Sequence, residues 1–225
     1  MPALSDGLYE RTSVDAMTDT RTRYLDAAEA AFIRDGYEGA TIRAISARAK
    51  VPLGTLHHYW GTKERLFTEV CQRRFGPIQQ VQVARLQAVG AAAGEGRPDL
   101  EAVVRAMIEP PVLPPDASVA QRRRIRALYG RVLTEPHQAA LRQVVHVFRD
   151  STQLFIELMQ RACPQLDART FFWRYTCALG TFIFANSFSD RVALSMDYEL
   201  TEEQWPQAVD EMAAFMVRGM SAPAG

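Results

Sequence analysis

The stretch Thr41–Phe67, TIRAISARAKVPLGTLHHYWGTKERLF, decides how the rest of the chain is read. It parses as two short helices, a tight turn between them, and the start of a third. The first runs about Thr41–Ala49 and buries Ile42, Ile45 and Ala49 at i, i+3, i+7 spacing. Lys50-Val51 makes the turn. The second helix, Pro52–Tyr59, points Leu56 inward. Thr62 caps the third helix, and Glu64 stands in its first turn, where the helix dipole favours an acid.

The spacing carries more than helix content. Ser46 is a small residue where a second helix must cross the first, and Val51 and Leu56 are apolar residues that lock the crossing angle. A helix-turn-helix unit has these parts, and it lays its second helix in the major groove of DNA. The competing assignment is an ordinary buried helical hairpin. Against it stand the brevity of the second helix and its outward positions, Leu53, Gly54, His57 and His58, which do not form a solvated charged face.

From Tyr24 to Phe67, YLDAAEAAFIRDGYEGATIRAISARAKVPLGTLHHYWGTKERLF resembles the TetR/AcrR family of bacterial transcriptional regulators. The resemblance implies a three-helix DNA-binding head followed by a larger helical domain for effector binding and dimerisation. Three positions depart from the family's habit. Lys50 stands where glycine is usual, His57 where tyrosine is usual and Trp60 where phenylalanine is usual. A lysine at φ > 0 costs about 1 kcal/mol.

Composition narrows the class. The 225 residues carry 26 basic and 26 acidic side chains, so the chain as a whole is no polyanion binder. The distribution is uneven. Thr41–Phe75 holds seven basic residues (Arg43, Arg48, Lys50, Lys63, Arg65, Arg73, Arg74) against two acidic ones, Glu64 and Glu69. Asp197–Glu211 holds six acids and no Lys or Arg. Cys71, Cys163 and Cys177 have no metal-ligand spacing and suit a reducing compartment. The N-terminus lacks the apolar core of a signal peptide, and the longest uncharged run, Tyr175–Ser189, is too short to span a bilayer. A soluble cytoplasmic protein without membrane association is expected.

Taken in order, residues 1–17 read as a flexible leader, 18–67 as the helix-turn-helix domain and 68–221 as the helical effector and dimerisation domain. Helix 1 is expected over about Asp19–Asp35, ended by Gly36. The helix after Thr62 should break at Gly76-Pro77. Further helices are expected at Asp99–Glu109, Ser118–Glu135, Pro136–Cys163, Asp167–Arg191 and Thr201–Met220, with Pro110-Pro111 and Pro114-Pro115 as a rigid connector. No period-2 segment appears, so the fold is all-α.

Phosphate contacts are assigned to Thr55, Tyr59 and Lys63, positions that touch phosphate in the family as well. Base-edge readers are Leu53, Gly54, His57 and His58, with Arg43 reaching from the preceding helix. An effector pocket would draw on Met107, Tyr129, Phe148, Phe155, Met159 and Trp173. The segment Arg126–Val145 resembles effector domains that respond to fatty-acid-like ligands, which implies a mostly apolar pocket. The Arg122–Arg126 cluster reads as an anion site or a solvated helix face. The Asp167–Arg191 helix is apolar nearly all round, which places a dimer face on the last two helices, with Phe171, Tyr175, Phe182, Phe188, Met212 and Phe215. No metal site, cofactor motif or catalytic constellation is present in the sequence. The expected protein is a homodimeric repressor released from a palindromic operator by a small hydrophobic molecule. The alternatives are a DNA-binding auxiliary protein without inducer, and an all-α interaction module or enzyme with an incidental helix pair.

Overall fold

The computed structural model of the chain describes residues 6–223, which form ten α-helices and one short 3₁₀ turn and, among these described residues, no strand. They divide into two compact units. The smaller runs to Gln72 and also takes in Glu135–Gln143. The larger holds Arg73–Thr134 and the chain from Val144 onward. The boundary therefore lies after Gln72, not Phe67, and the head borrows nine residues from the middle of the sequence.

Helix α1 spans Asp6–Gly39, α2 Ile42–Ala49 and α3 Thr55–Tyr59. The leader expected over 1–17 falls partly outside the described residues, at 1–5, and from Asp6 the backbone is already helical. Gly36 interrupts α1 at φ 72°, a conformation glycine adopts without strain. Helix α2 opens on Thr41, whose hydroxyl accepts from the Ala44 N–H, and closes on Lys50 in the left-handed region at φ 56°, ψ 47°. The turn thus does require positive φ, and this chain meets the requirement with lysine. Tyr24, Ala28, Ala31, Phe32, Ile45, Leu56 and Phe67 fill the core between the three helices.

Helix α4 spans Lys63–Ala93 without the expected break; Pro77 lies inside it. One proline removes a single N–H and crowds one carbonyl, which a long helix anchored on both sides accommodates. Helix α5, Leu100–Val112, likewise runs through Pro110 and Pro111 rather than stopping at them. Pro111 has no N–H for the Met107 carbonyl. The fully buried Gln82 supplies the missing donor: its Nε2 gives a 2.6 Å hydrogen bond to Met107 O.

Helix α6, Val119–Leu133, begins on a complete capping box between Ser118 and Gln121. The single long helix expected at Pro136–Cys163 is instead two, α7 at Gln138–Val147 and α8 at Arg149–Ala162, separated at Phe148. Phe148 turns into an aromatic cluster, with its ring 5.3 Å from Phe75 and 5.2 Å from Tyr129, and that anchorage breaks the helix. Helix α9 spans Ala168–Ser195 and α10 Trp205–Ser221, the latter entered through the capping box Thr201…Gln204 expected from the sequence. Helices α6 and α9 approach closely: a Cβ built on Gly130 would lie 3.0 Å from Ser187 Cα.

The arginine-rich face of α6 is not wholly solvated. Arg126 is buried, donates from Nη2 to both carboxylate oxygens of Glu202 and from Nη1 to the Val112 carbonyl, and stacks 4.1 Å from the Trp205 ring. Removing one partner leaves an uncompensated buried charge. Arg126→Met is expected to cost about 3–5 kcal/mol, and Arg126→Met with Glu202→Leu much less than either alone. Urea unfolding of the three variants checks this; additive losses would mean that the pair is not coupled.

Candidate nucleic-acid interface

The head is held by a chain of contacts around Ser46. Its hydroxyl lies 3.1 Å from the Tyr24 phenol, and the Tyr24 ring stacks on Trp60 at 5.1 Å. The Trp60 indole N–H donates to Glu69, which also pairs with Arg21. The indole N–H is a donor that phenylalanine lacks, so α3 is tied to α4 by a polar contact as well as by packing. Burial raises the Tyr24 pKa, with the Ser46 contact opposing, so this phenol stays neutral.

The pinned helix presents an open face. Leu53 is 57% exposed, and Gly54, His57 and His58 are exposed too. Gly54 has nothing within 4 Å of the place a Cβ would occupy. His57 Nδ1 donates to the Gly61 carbonyl at 3.1 Å. That fixes its tautomer and leaves Nε2 as an outward acceptor when the ring is neutral. His58 packs edge-on against half-buried Tyr59, ring centroids 4.7 Å apart. Arg43, Arg48, Lys50 and Arg65 are exposed around this face. Arg48 and Arg65 belong to the basic run of Thr41–Phe75 and carry no signal in the sequence beyond that local positive charge.

Two assigned phosphate contacts sit differently. Thr55 is buried at the start of α3, packed into the head rather than presented. Lys63 turns back: its Nζ donates to the Glu38 carbonyl at 3.3 Å and lies 4.6 Å over the Tyr37 ring. Burial lowers its pKa, with Glu38, Glu64 and Glu135 opposing. The Lys63 ammonium is thereby occupied by α1. At the end of α1, the break at Gly36 strands the Tyr37 N–H, and buried Glu135 accepts it at 3.1 Å. His137 follows, stacked on Tyr37 at 4.8 Å and paired with Glu38 at 2.8 Å. Gln143 Oε1 accepts from Thr68 at 3.0 Å. Residues 135–143 are therefore a structural part of the head. No local pattern in the sequence marks them, because their partners are roughly a hundred positions away.

In the larger unit, Tyr129, Phe148, Phe155 and Met159 are buried in the core, and Met107 is half-buried. Trp173 is not a core residue: it is 59% exposed on α9. Phe171, Phe182 and Met212, assigned to a dimer face, are buried within their own protomer, while Tyr175 and Phe188 are half-buried. Of that set Phe215 is exposed, at 66%. The apolar surface of α9 and α10 comprises instead Phe172, Trp173, Phe184, Leu194, Met196 and Phe215. The helix is apolar on two sides, and the period alone did not say which side faces inward. Among the described residues no group of three or more His, Cys, Asp or Glu is placed to hold a metal ion, and no helix is long and apolar enough to cross a membrane.

Comparison with known proteins gives two family matches. The model of bacterial regulatory proteins of the tetR family matches residues 25–70, and that of the tetracyclin repressor-like C-terminal domain matches residues 105–219, just over half the chain. The HTH-type transcriptional repressor KstR of Rhodococcus jostii is 38% identical over 66 residues, 29% of this chain and 31% of that protein. The matched region thus spans about a third of the curated relative. A TetR-like transcriptional regulator from Rhodococcus sp. RHA1 superimposes with a TM-score of 0.54 at 21% identity, covering 91% of this chain and 97% of that one. The fatty acid degradation regulator FadR from Bacillus halodurans gives 0.53 at 15% identity, covering 90% and 99%. At these identities the two structures show a shared fold.

Lys50 offers a direct check on the turn. Lys50→Gly removes the left-handed penalty and is expected to stabilise the protein by about 1 kcal/mol, less the entropy glycine adds to the unfolded chain. Thermal unfolding measures the change; a destabilisation would show that the lysine side chain contributes a contact outweighing its strain.

Proposed function

The chain belongs to the TetR family of bacterial regulatory proteins, whose members are transcriptional regulators rather than enzymes, and from that premise we propose that it is a homodimeric repressor released from a palindromic operator by a small apolar effector. The observation that carries the DNA reading is the exposure of Leu53, Gly54, His57 and His58 at and just before a short helix, with Arg43, Arg48, Lys50 and Arg65 exposed on the same head. In that arrangement α3 enters the major groove. Arg43 offers paired donors to guanine, His57 Nε2 an acceptor to an exocyclic amine, and Leu53 a surface for a thymine methyl. Tyr59 and the exposed cations lie along phosphates. The sugar-phosphate contacts set the position, and the base edges set the sequence.

One head covers too little DNA for specific affinity, so two are needed, about one helical turn apart or slightly more. The exposed apolar surface of α9 and α10 supports pairing. Phe184, Leu194 and Phe215 leave an area of hydrocarbon in water that a second copy covers by a two-fold contact. Helix α4 carries the chain from one unit to the other. In the proposed mechanism an effector in the larger unit favours a state of α4 in which the two heads no longer match successive grooves. It weakens DNA binding only by the difference between its affinities for the two states. Fatty acid degradation is in the name of one structural neighbour, which favours an apolar effector. The protein would then work in the cytoplasm, where operator DNA and such molecules are both present.

Three variants test the reading by band shift against a selected operator. Arg43→Ala is expected to cost about 1–3 kcal/mol and to relax specificity at one base pair. Arg48→Ala should weaken all sequences alike and reduce the slope of log K against log salt by about 0.9. Unchanged affinity and slope in both would refute the DNA reading. Phe184→Glu with Phe215→Glu should give a monomer by sedimentation velocity and drop operator affinity about a thousandfold, toward the non-specific level. A double variant that stays dimeric would move the interface elsewhere.

A further inference from the structure

His57 stands where tyrosine is usual, and the turn after α3 gives that change a chemical content. The chain leaves α3 through Gly61, at φ 72°. The Gly61 N–H donates to the Leu56 carbonyl at 2.9 Å, so the turn is closed by the helix it follows. The Gly61 carbonyl is thereby set in place, 3.1 Å from His57 Nδ1. A carbonyl oxygen only accepts, so Nδ1 carries a proton whether the imidazole is neutral or charged. The ring is held the same way in both forms. What changes is one atom, Nε2, a bare acceptor in the neutral ring and an N–H donor in the imidazolium.

The charged groups on the neighbouring elements are largely committed elsewhere. Both carboxylates of Thr41–Phe75 are engaged: Glu64 accepts from the Tyr37 phenol, and Glu69 from the Trp60 indole and from Arg21. Neither is left to compete with a base for Nε2. Lys63 is turned to the Glu38 carbonyl and the Tyr37 ring. Arg43, Arg48 and Lys50, on and just after α2, and Arg65 on α4 are exposed cations. On α3 itself, His58 packs edge-on against Tyr59.

Bases in the major groove meet such an atom with opposite groups. Cytosine N4 and adenine N6 are donors, whereas guanine N7 and O6 and thymine O4 are acceptors. A neutral Nε2 bonds a donor and is repelled by an acceptor; a charged ring does the reverse. Adenine also carries an acceptor at N7, so the contrast is sharpest between cytosine and guanine. We propose that His57 reverses the base preference at one position of each half-site when it gains a proton, from an amine-bearing base to guanine. The inference rests on the DNA reading of the head and extends it, because the preferred operator then depends on pH as well as on the residues that read it.

Selection of bound sequences from randomised duplex DNA tests this, at about pH 8 and about pH 5.5, near the two ends of the range in which histidines change charge. Added positive charge at the lower pH strengthens binding to every sequence, so the readout is the preference at single positions. In the wild type one position per half-site should pass from favouring cytosine over guanine about fivefold to the reverse, the effect of one hydrogen bond. His57→Gln, whose amide does not titrate, should select the same base at both pH values, and His58→Gln should keep the reversal. Both side chains are exposed, so neither variant removes a core contact. A wild-type preference that ignores pH, a reversal that survives in His57→Gln, or one lost in His58→Gln overturns the proposal. Enrichment of no sequence at either pH would refute the DNA reading itself, and the proposal with it.

Discussion

The contact between Tyr24 and Ser46 sets the geometry on which the head depends. A helix-turn-helix works only if its second helix stands at a fixed angle to the first, and that angle is decided where they cross. Ser46 is small enough to let the helices close, and its hydroxyl gives the buried Tyr24 phenol a partner, so close approach leaves no orphaned polar group. The Tyr24 ring then supports Trp60, and Trp60 reaches Glu69 on α4. Four helices are thus joined through one serine. A larger residue at 46 would push α3 outward, and α3, at five residues, has no packing of its own with which to resist.

How much of this was legible depends on the distance between partners. The three head helices, the Thr62 cap, the capping box at Thr201 and the need for positive φ at Lys50 are local, fixed by residues within four positions of one another, and the sequence pattern exposed them. The Gly36 break was local too. What it required was not: the Tyr37 N–H it strands is satisfied by Glu135. Proline gave the weakest guidance. Pro77, Pro110 and Pro111 all read as boundaries, yet all lie within helices, because a partner elsewhere can replace the lost bond. Gln82 does so for Met107. The break at Phe148 came instead at a residue with no breaking tendency, pulled inward by Phe75 and Tyr129.

The candidate site shows the same division. Exposure of His57 and His58 follows from helical period and a two-sided pattern, so these positions were readable. The turning of Lys63 toward Tyr37 and Glu38 was not, since it depends on a cation–π contact and a carbonyl from another helix. On α9 the period failed for a different reason. A helix with hydrocarbon on two faces gives no moment to orient it, and only the packing of Phe171 and Phe182 against their own protomer identifies Phe172, Trp173 and Phe184 as the outer face.

The chain crosses between the two units at three places, after Gln72, before Glu135 and after Gln143, and these crossings give the regulatory reading its physical content. The first is inside α4. The other two bracket a segment whose Glu135, His137 and Gln143 hold Tyr37, Glu38 and Thr68 in the head. Helix α6 leads into that segment within two residues of its end. Under the proposed mechanism a ligand that altered the packing of α6 would reach the head along the chain, through α4 and through the segment whose Glu135 holds the Tyr37 N–H at the Gly36 break. Both meet at Lys63 and Tyr37. Under the proposed mechanism effector and DNA compete over a shared element, and the corner where α1 breaks and α4 begins is the part of the head that Glu135 and His137 hold.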